Sequence, residues 1–440
     1  MLYYTFEFID GIMDILSVNI FGKGMLATFW FLFFIEFPRY YLTDFLVAIY
    51  HGATFNGRRK KREAARYRLF LEKPLVTILA PGKNEGKQIY KLVKSLSEQT
   101  YQNFEIIIVD DGSDDTTPQI CRDLLKRGYI HKFFRMVERG GKASAANAGM
   151  HHASGKYIVH LDCDSSLDRD AIEKVLLPFY IDPKVKAVGG CVKVRNADAT
   201  LCTSMQALEY KRSIQVGRMV TSRLGIYHII SGAFGAFDAE ALREVGGWDI
   251  GPGLDGDITQ KFRKSGHRVW FAEDAICMTN VPEKWSALFK QRKRWSKSLV
   301  RFRIRKHRDI LWSNKNFSFS NMISNMDNIL FDCVFNYVWL FYMFQLVLSN
   351  TDRLVEIVIV GIIIRSAFSI CAFIVMQCIS ERPREEAHLG AFLLLYTFYM
   401  GYFMRFVRLI GHTEEFFFRT SYKDAWNPKK TSDIARMENM

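Results

Sequence analysis

The chain has 440 residues and a formal charge of +14, is 49% hydrophobic and carries 36 phenylalanines. That length allows about two to three domains, and the apolar load argues against an ordinary soluble enzyme and for one partly embedded in a membrane. The eight cysteines show no paired spacing and lie in apolar or strand-like settings, which predicts free thiols in a reducing compartment.

Residues 3–20 are apolar but interrupted by Glu7, Asp10 and Asp14 and lack a basic leader, so an in-plane helix or an extra span is expected rather than a cleavable signal. Residues 25–50 predict a first span within an N-terminal membrane segment, 1–57. Glu36 and Arg39, three residues apart in it, share a helix face. They either pair at the bilayer edge or face a polar pathway, because ionised groups in a membrane rarely face lipid. The basic stretch "RRKKREAARYR" (58–68) opens a linker, 58–73.

Residues 74–284 predict an α/β domain. "PLVTILAPG" (74–82), "NFEIIIVDDGSDDTT" (103–117), "GKYIVHLDCDSSLD" (155–168) and "VKAVGGCVKV" (185–194) each contain a buried-strand run, and helix-compatible segments separate them. That alternation predicts a mostly parallel sheet with helices on both faces, which binds ligands beyond the carboxyl ends of its strands. Asp110, Asp111, Asp162 and Asp164 fall at such ends.

Residues 285–325 carry "QRKRW" (291–295) and a dense basic run to Lys306 interleaved with apolar residues, the pattern of an amphipathic interfacial helix. Gln291, Arg294 and Trp295 share one helical face by spacing. An aromatic and basic patch also suits single-stranded nucleic acid, but that reading leaves the spans and carboxylates unexplained, so no nucleic-acid partner is expected. Residues 326–380 predict a membrane hairpin (328–349 and 354–379), and 388–418 a further embedded or interfacial helix. The basic clusters flanking the central domain predict that it is cytosolic at the plasma (inner) membrane. A third C-terminal span would put the tail outside, against its basic residues. An oblique or in-plane placement of 388–411 removes the conflict and leaves 419–440 as a cytosolic tail.

"APGKNE" (80–85), "VDDGSDD" (109–115), "RGGKASAANAG" (139–149), "LDCD" (161–164), "SGAFGAF" (231–237), "LDGD" (254–257) and "QRKRW" occur in this order. The series resembles membrane-integrated, processive family-2 glycosyltransferases, among them cellulose, hyaluronan, chitin and poly-N-acetylglucosamine synthases. The resemblance implies a GT-A-like domain flanked by transmembrane and interfacial helices. It implies inverting synthesis of a β-linked polysaccharide from a UDP-sugar, and export of the chain across the membrane.

A diphosphate donor calls for a divalent cation, Mg2+ or Mn2+, and hard cations take oxygen ligands. Asp162 and Asp164 are the expected ligands, Asp164 the more direct. By resemblance, Asp110 or Asp111 meets the uracil and ribose, Asn84 and Glu85 border the base, and Lys142, after two glycines, approaches the donor. Gln291 and Arg294 then hold the pyrophosphate region, Trp295 stacks on the acceptor sugar, and Phe234 walls the acceptor site. Inversion needs a base for the acceptor hydroxyl. Family members place it in T-E-D or G-D-D, from which "LDGD" departs. Counting back from the Ser265-Gly266 turn selects Asp255, with Asp257 the alternative. "AWNPKK" (425–430) loosely resembles a gating loop, with Trp426, Lys429 and Lys430 as its contacts. Expected partners are the growing polysaccharide, membrane lipids and accessory export subunits. The rival readings are a non-processive transferase acting on a lipid acceptor and a non-catalytic membrane scaffold or transporter subunit.

Overall fold

A computed structural model describes residues 23–251, 253–314, 317–424 and 427–438. The sequence features proposed for residues 3–20 and for Trp426 lie outside these. The chain divides into two compact units, one of Met1–Ala53 with Leu330–Leu409, the other of Thr54–Ile329 with Ile410–Met440.

In the first unit, Phe29, Phe31 and Leu32 pack with Trp339, Tyr342, Leu346, Ile357 and Val360. The Glu36 carboxylate is buried there, 2.9 Å from Arg365 Nη1 and paired also with Arg405. Arg405 lies over the Phe31 and Trp339 rings at 5.2 and 5.3 Å. Glu36 therefore meets two arginines distant in sequence, while Arg39 lies over the Tyr40 and Phe331 rings, 5.5 Å from each. Among the described residues, three helices are long and apolar enough to cross a membrane: Phe319–Ser349, Thr351–Ile379 and Pro383–Phe418.

The second unit is built on one sheet of eight strands: β1 (Val76–Gly82), β2 (Phe104–Asp110), β3 (Lys132–Arg135), β4 (Tyr157–Leu161), β5 (Ser166–Leu167), β6 (Val185–Val194), β7 (Phe234–Asp238) and β8 (Arg268–Thr279). Their order is β3-β2-β1-β4-β7-β6-β8-β5. The first four pair in parallel, as do β6 and β8, while β7 runs antiparallel to both β4 and β6. The near-continuous burial of β1, β2 and β4 is what a sheet covered on both faces demands.

Helices supply the cover. The basic stretch beginning at Arg58 is helical, within α1 (Phe55–Glu72). It seats Ala65 and Leu69 on the core and pairs Arg66 with Glu173 and Arg62 with Asp274. α2 (Gly86–Ser97) buries Ile89, Leu92, Val93 and Leu96, the i, i+3, i+4, i+7 stripe of a surface helix. α3 (Lys142–His151) starts directly after Gly141, and α4 (Ala171–Ile181) is apolar along most of its length. α5 (Leu201–Glu209) opens with a reciprocal Thr200–Thr203 capping box, then widens into a π turn over Tyr210–Val216 before α6 (Gly217–Arg223). α7 (Leu254–Lys264) and α8 (Trp285–Leu299) complete the frame.

Candidate active site

The carboxyl ends of β1, β2 and β4 lie side by side, since Gly82 pairs with Asp110 in register and β4 flanks β1. The turns leaving these strands therefore gather the predicted residues. Beyond β1, Asn84 adopts a left-handed φ of +62°. Its backbone N–H donates to Ser113 Oγ at 2.8 Å, and its side-chain amide donates to Asp114 at 2.6 Å while accepting from the Asp114 N–H. Beyond β2, buried Asp110 accepts from the Ser113 N–H at 2.9 Å and from its hydroxyl. Asp111 accepts from the N–H groups of Gly140 (2.7 Å) and Gly141 (3.0 Å). Both carboxylates thus shape the loops around them, and both are almost fully buried.

Gly141 has φ +88°, a value open chiefly to glycine. A Cβ there would stand 2.9 Å from Asn427 Oδ1 and 3.4 Å from Pro428 Cδ. The C-terminal segment therefore reaches the loop that launches α3. Lys142, its first residue, pairs with Asp162 and lies 3.4 Å from the Gly232 carbonyl. Burial disfavours its ammonium, but Asp162 and Asp255 outweigh burial and raise its pKa.

Beyond β4, Asp164 Oδ1 is buried with no hydrogen-bond partner among the described residues. Burial, then the neighbouring Asp162, pushes the Asp164 carboxyl up to about 6, against Lys142 and Arg195. Burial followed by Asp164 and Asp162 pushes Glu85 up to about 7. Three carboxyls crowd around one lysine, and an orphaned carboxylate oxygen stands among them. Such an all-oxygen donor set with excess negative charge fits Mg2+ or Mn2+. Among the described residues no ready-made cluster of three or more ligands occurs.

The two acids of "LDGD" separate cleanly. Positions two apart on a helix point to opposite sides. Asp257 is 1% exposed, 2.7 Å from His307 Nε2 and 2.8 Å from Lys306 Nζ. Burial raises its pKa, but His307 and Lys306 win and hold it at about 2. Asp255 packs its carboxylate against Gly232, which gives it a backbone hydrogen bond, and its Oδ1 is buried with no hydrogen-bond partner among the described residues. Burial raises its pKa, with Lys142 opposing and Asp162 adding to the rise. The helix that carries both starts at Gly253 (φ +87°), where a Cβ would come within 2.6 Å of the Phe302 ring.

On α8, Gln291 accepts from Arg292 at 2.6 Å, Arg294 lies 3.9 Å from Asp424, and Trp295 is 43% exposed. Arg292, which the motif reading passed over, makes a buried fork to Glu209 (3.0 and 2.9 Å) and stacks 4.1 Å from the Trp295 ring. No local pattern marked it, because Glu209 sits between Gln206 and the basic pair Lys211-Arg212. Phe234 is fully buried in β7 with its ring against Gly190, a core position that does not support the expected role as an acceptor wall. Lys429 and Lys430 begin a helix, Lys429–Met437, not a loop, and Lys430 is an exposed partner of Glu138 at 3.5 Å.

Residues 77–246 match the family profile described as Glycosyl transferase family 2. The chain carries a family-2 glycosyltransferase domain and is similar to that family's polysaccharide synthases. It is 33% identical over 222 residues to a poly-beta-1,6-N-acetyl-D-glucosamine synthase of Staphylococcus epidermidis, covering 50% of this chain and 53% of the relative. The Staphylococcus aureus synthase gives the same identity over the same length. The chain thus spans about half the length of these curated relatives. Among solved structures, the mannosyltransferase PcManGT of Pyrobaculum calidifontis, in complex with GDP-Man and Mn2+, matches with a TM-score of 0.54 at 21% identity, over 84% of this chain and 98% of that one. That likeness supports the GT-A-like fold that the motif resemblance implied.

Proposed function

We propose that the chain is an inverting, processive glycosyltransferase that extends a β-linked, N-acetylglucosamine-containing polysaccharide from a UDP-sugar at the cytosolic face of the plasma membrane and passes the product across it. The observation that carries the chemistry is the convergence of Asp162, Asp164 and Asp255 on Lys142 beyond the strand ends. The relatives' activity supports the polymer, and the three apolar helices support the membrane.

In this reading Asp162 and Asp164 would hold Mg2+ or Mn2+, which would supply charge neutralisation of the donor diphosphate. Lys142 adds a fixed positive charge beside it, and Gln291 and Arg294 approach the pyrophosphate from α8. Asp255 accepts the proton of the attacking acceptor hydroxyl. The acceptor oxygen bonds to the donor's anomeric carbon from the face opposite the leaving group, the anomeric C–O bond to phosphate breaks, and UDP departs with that electron pair. The raised pKa of Asp255 makes it a better proton acceptor than an exposed aspartate. Trp295 offers a partly exposed ring for the acceptor sugar to stack on. The segment that touches Gly141 through Asn427 and Pro428 acts as the gate over the donor.

Purified protein in detergent with Mn2+ should release UDP from UDP-N-acetylglucosamine in preference to UDP-glucose and UDP-glucuronate, and should form high-molecular-weight product. Asp255→Asn should lower turnover by at least about a hundredfold with UDP affinity retained. Short or lipid-linked products alone would defeat processivity, and an unchanged rate in Asp255→Asn would defeat the base assignment.

A further inference from the structure

The helix Phe319–Ile329, which opens the candidate membrane helix Phe319–Ser349, buries a polar stripe. Its buried residues are Asn321, Ser324 and Asn325, on one face by their i, i+3, i+4 spacing, while Phe319, Ile323 and Met326 are exposed. A buried polar face is costly unless its groups are hydrogen-bonded. The partners of this face lie in the irregular residues 225–232, which join α6 to β7, and in α7, whose first turn carries Asp255.

Four successive carbonyls of residues 225–232 each accept from a side chain. The Gly225 carbonyl accepts from Arg263 Nη1 (3.1 Å) and the Ser320 hydroxyl (2.6 Å), that of Ile226 from the Ser324 hydroxyl (3.1 Å), that of Tyr227 from Arg263 Nη1 (3.4 Å) and that of His228 from Arg303 Nη2 (2.5 Å). The His228 ring sits between Ser324 Oγ (3.2 Å) and Asp327 Oδ2 (2.9 Å), and Asn325 exchanges hydrogen bonds with Arg303 (3.1 and 3.2 Å). Two residues on, the Ile230 N–H donates to the hydroxyl of fully buried Thr259 at 2.9 Å, and that hydroxyl donates to the Asp255 carbonyl at 2.8 Å. At Gly232 the backbone N–H donates to the Asp255 carboxylate, and a Cβ would fall 2.2 Å from Asp255 Oδ1. The position of this segment therefore sets the position of the carboxylate.

We propose that Thr259 and His228 are positioning residues for the Asp255 carboxylate: Thr259 ties residues 225–232 to the helical turn that bears Asp255, and His228 anchors the same segment on the helix Phe319–Ile329. The inference rests on the glycosyl-transfer reading and deepens it by naming what holds the base. A segment outside the sheet has no ladder of backbone hydrogen bonds, so side-chain donors satisfy and fix it. The Thr259 hydroxyl gives its proton to the Asp255 carbonyl, so it works through the helix backbone and not on substrate. Placement matters because a shift of about 1 Å in a reacting group can cost about a hundredfold in rate. Asn84, Asp110 and Asp111 are held by hydrogen bonds within the loops after β1 and β2 and before α3, so donor binding stays independent of this grip.

The full chain in detergent with Mn2+ would be assayed for UDP release from UDP-N-acetylglucosamine, with melting temperature as the fold control. Thr259→Val keeps the side-chain volume and removes the hydroxyl, and Thr259→Ser keeps the hydroxyl. The expected result is a fall in kcat of at least about tenfold in Thr259→Val and recovery to within about threefold of wild type in Thr259→Ser. The donor KM, and UDP affinity by calorimetry, should not change in either. His228→Phe, which loses both ring hydrogen bonds, should lower kcat in the same way, and it decides the matter if Thr259→Val does not fold. A wild-type kcat in the folded variant would overturn the inference. So would a Thr259→Ser protein as impaired as Thr259→Val, which would make the role one of packing, or a loss confined to donor KM. Asp255→Asn run alongside separates the failures: if it is inactive while Thr259→Val is not impaired, the base stands and the positioning falls. A wild-type protein that consumes no donor would instead refute the glycosyl-transfer reading, and this inference with it.

Discussion

At the scale of single residues, the pair in "LDGD" shows how one helical turn assigns different work to identical side chains. Asp257 is buried against His307 and Lys306, and Asp255 keeps an oxygen unpaired among the described residues beside Gly232. Asp257→Asn should cost roughly 3 kcal/mol of stability at neutral pH, the scale for stranding buried ionic partners. The native pKa of Asp257 lies below the unfolded aspartate value of about 3.9. Its contribution is therefore complete above that value and is lost as the pH falls through about 2. Thermal melts of wild type and variant should converge across that acid window, and a constant gap would mean that the ion pair is not the source. Spacing alone separated the two acids only by an alignment count. The partners that distinguish them come from residues 306 and 307, some 50 positions away, and no local pattern encodes that meeting.

At the scale of elements, α8 is held from two sides by ion pairs of very different worth. Arg292 forks onto Glu209 with side chains 2% and 9% exposed, whereas Lys293 and Lys297 share the half-exposed Glu414 at 2.8 Å each. Removing one partner of the buried pair leaves an uncompensated charge, so Glu209→Gln should destabilise by about 3 to 5 kcal/mol. Glu414→Gln should cost less than about 1 kcal/mol. Denaturant melts of the two variants test the contrast, and equal losses would refute it. Because Arg292 stacks on Trp295, Glu209→Gln should also change tryptophan fluorescence. Four strands of this domain, β1, β2, β4 and β6, were legible as apolar runs, β2 and β4 ending in carboxylates, and they fall within the predicted segments. β7 was harder to read: "SGAFGAF" has the small residues of a turn, and only its pairing between β4 and β6 makes part of it a central antiparallel strand.

At the scale of the whole molecule, the segment around Asn427 returns to the loop that launches α3. Ser432 and Ala435 are buried, Ala435 lies 3.0 Å from the position of a Cβ on Gly251, Arg301 stacks 4.5 Å from the Tyr422 ring, and Asn427 meets Gly141. Ala435→Arg should displace this helix, expose the C-terminus to protease and weaken UDP binding while the sheet domain stays folded. Retained UDP affinity with a released tail would show that the segment does not cover the donor. The order of seven motifs, the strand periods and the long apolar runs are local properties, so the sequence by itself determined the α/β class, the family resemblance and the candidate membrane segments. The tertiary structure alone decided which charges meet. Glu36 with Arg365 and Arg405, Glu209 with Arg292, and Asp257 with His307 join residues roughly 50 to 370 positions apart. Ion pairing depends on distance in space, and only the packing of the core brings such distant groups together.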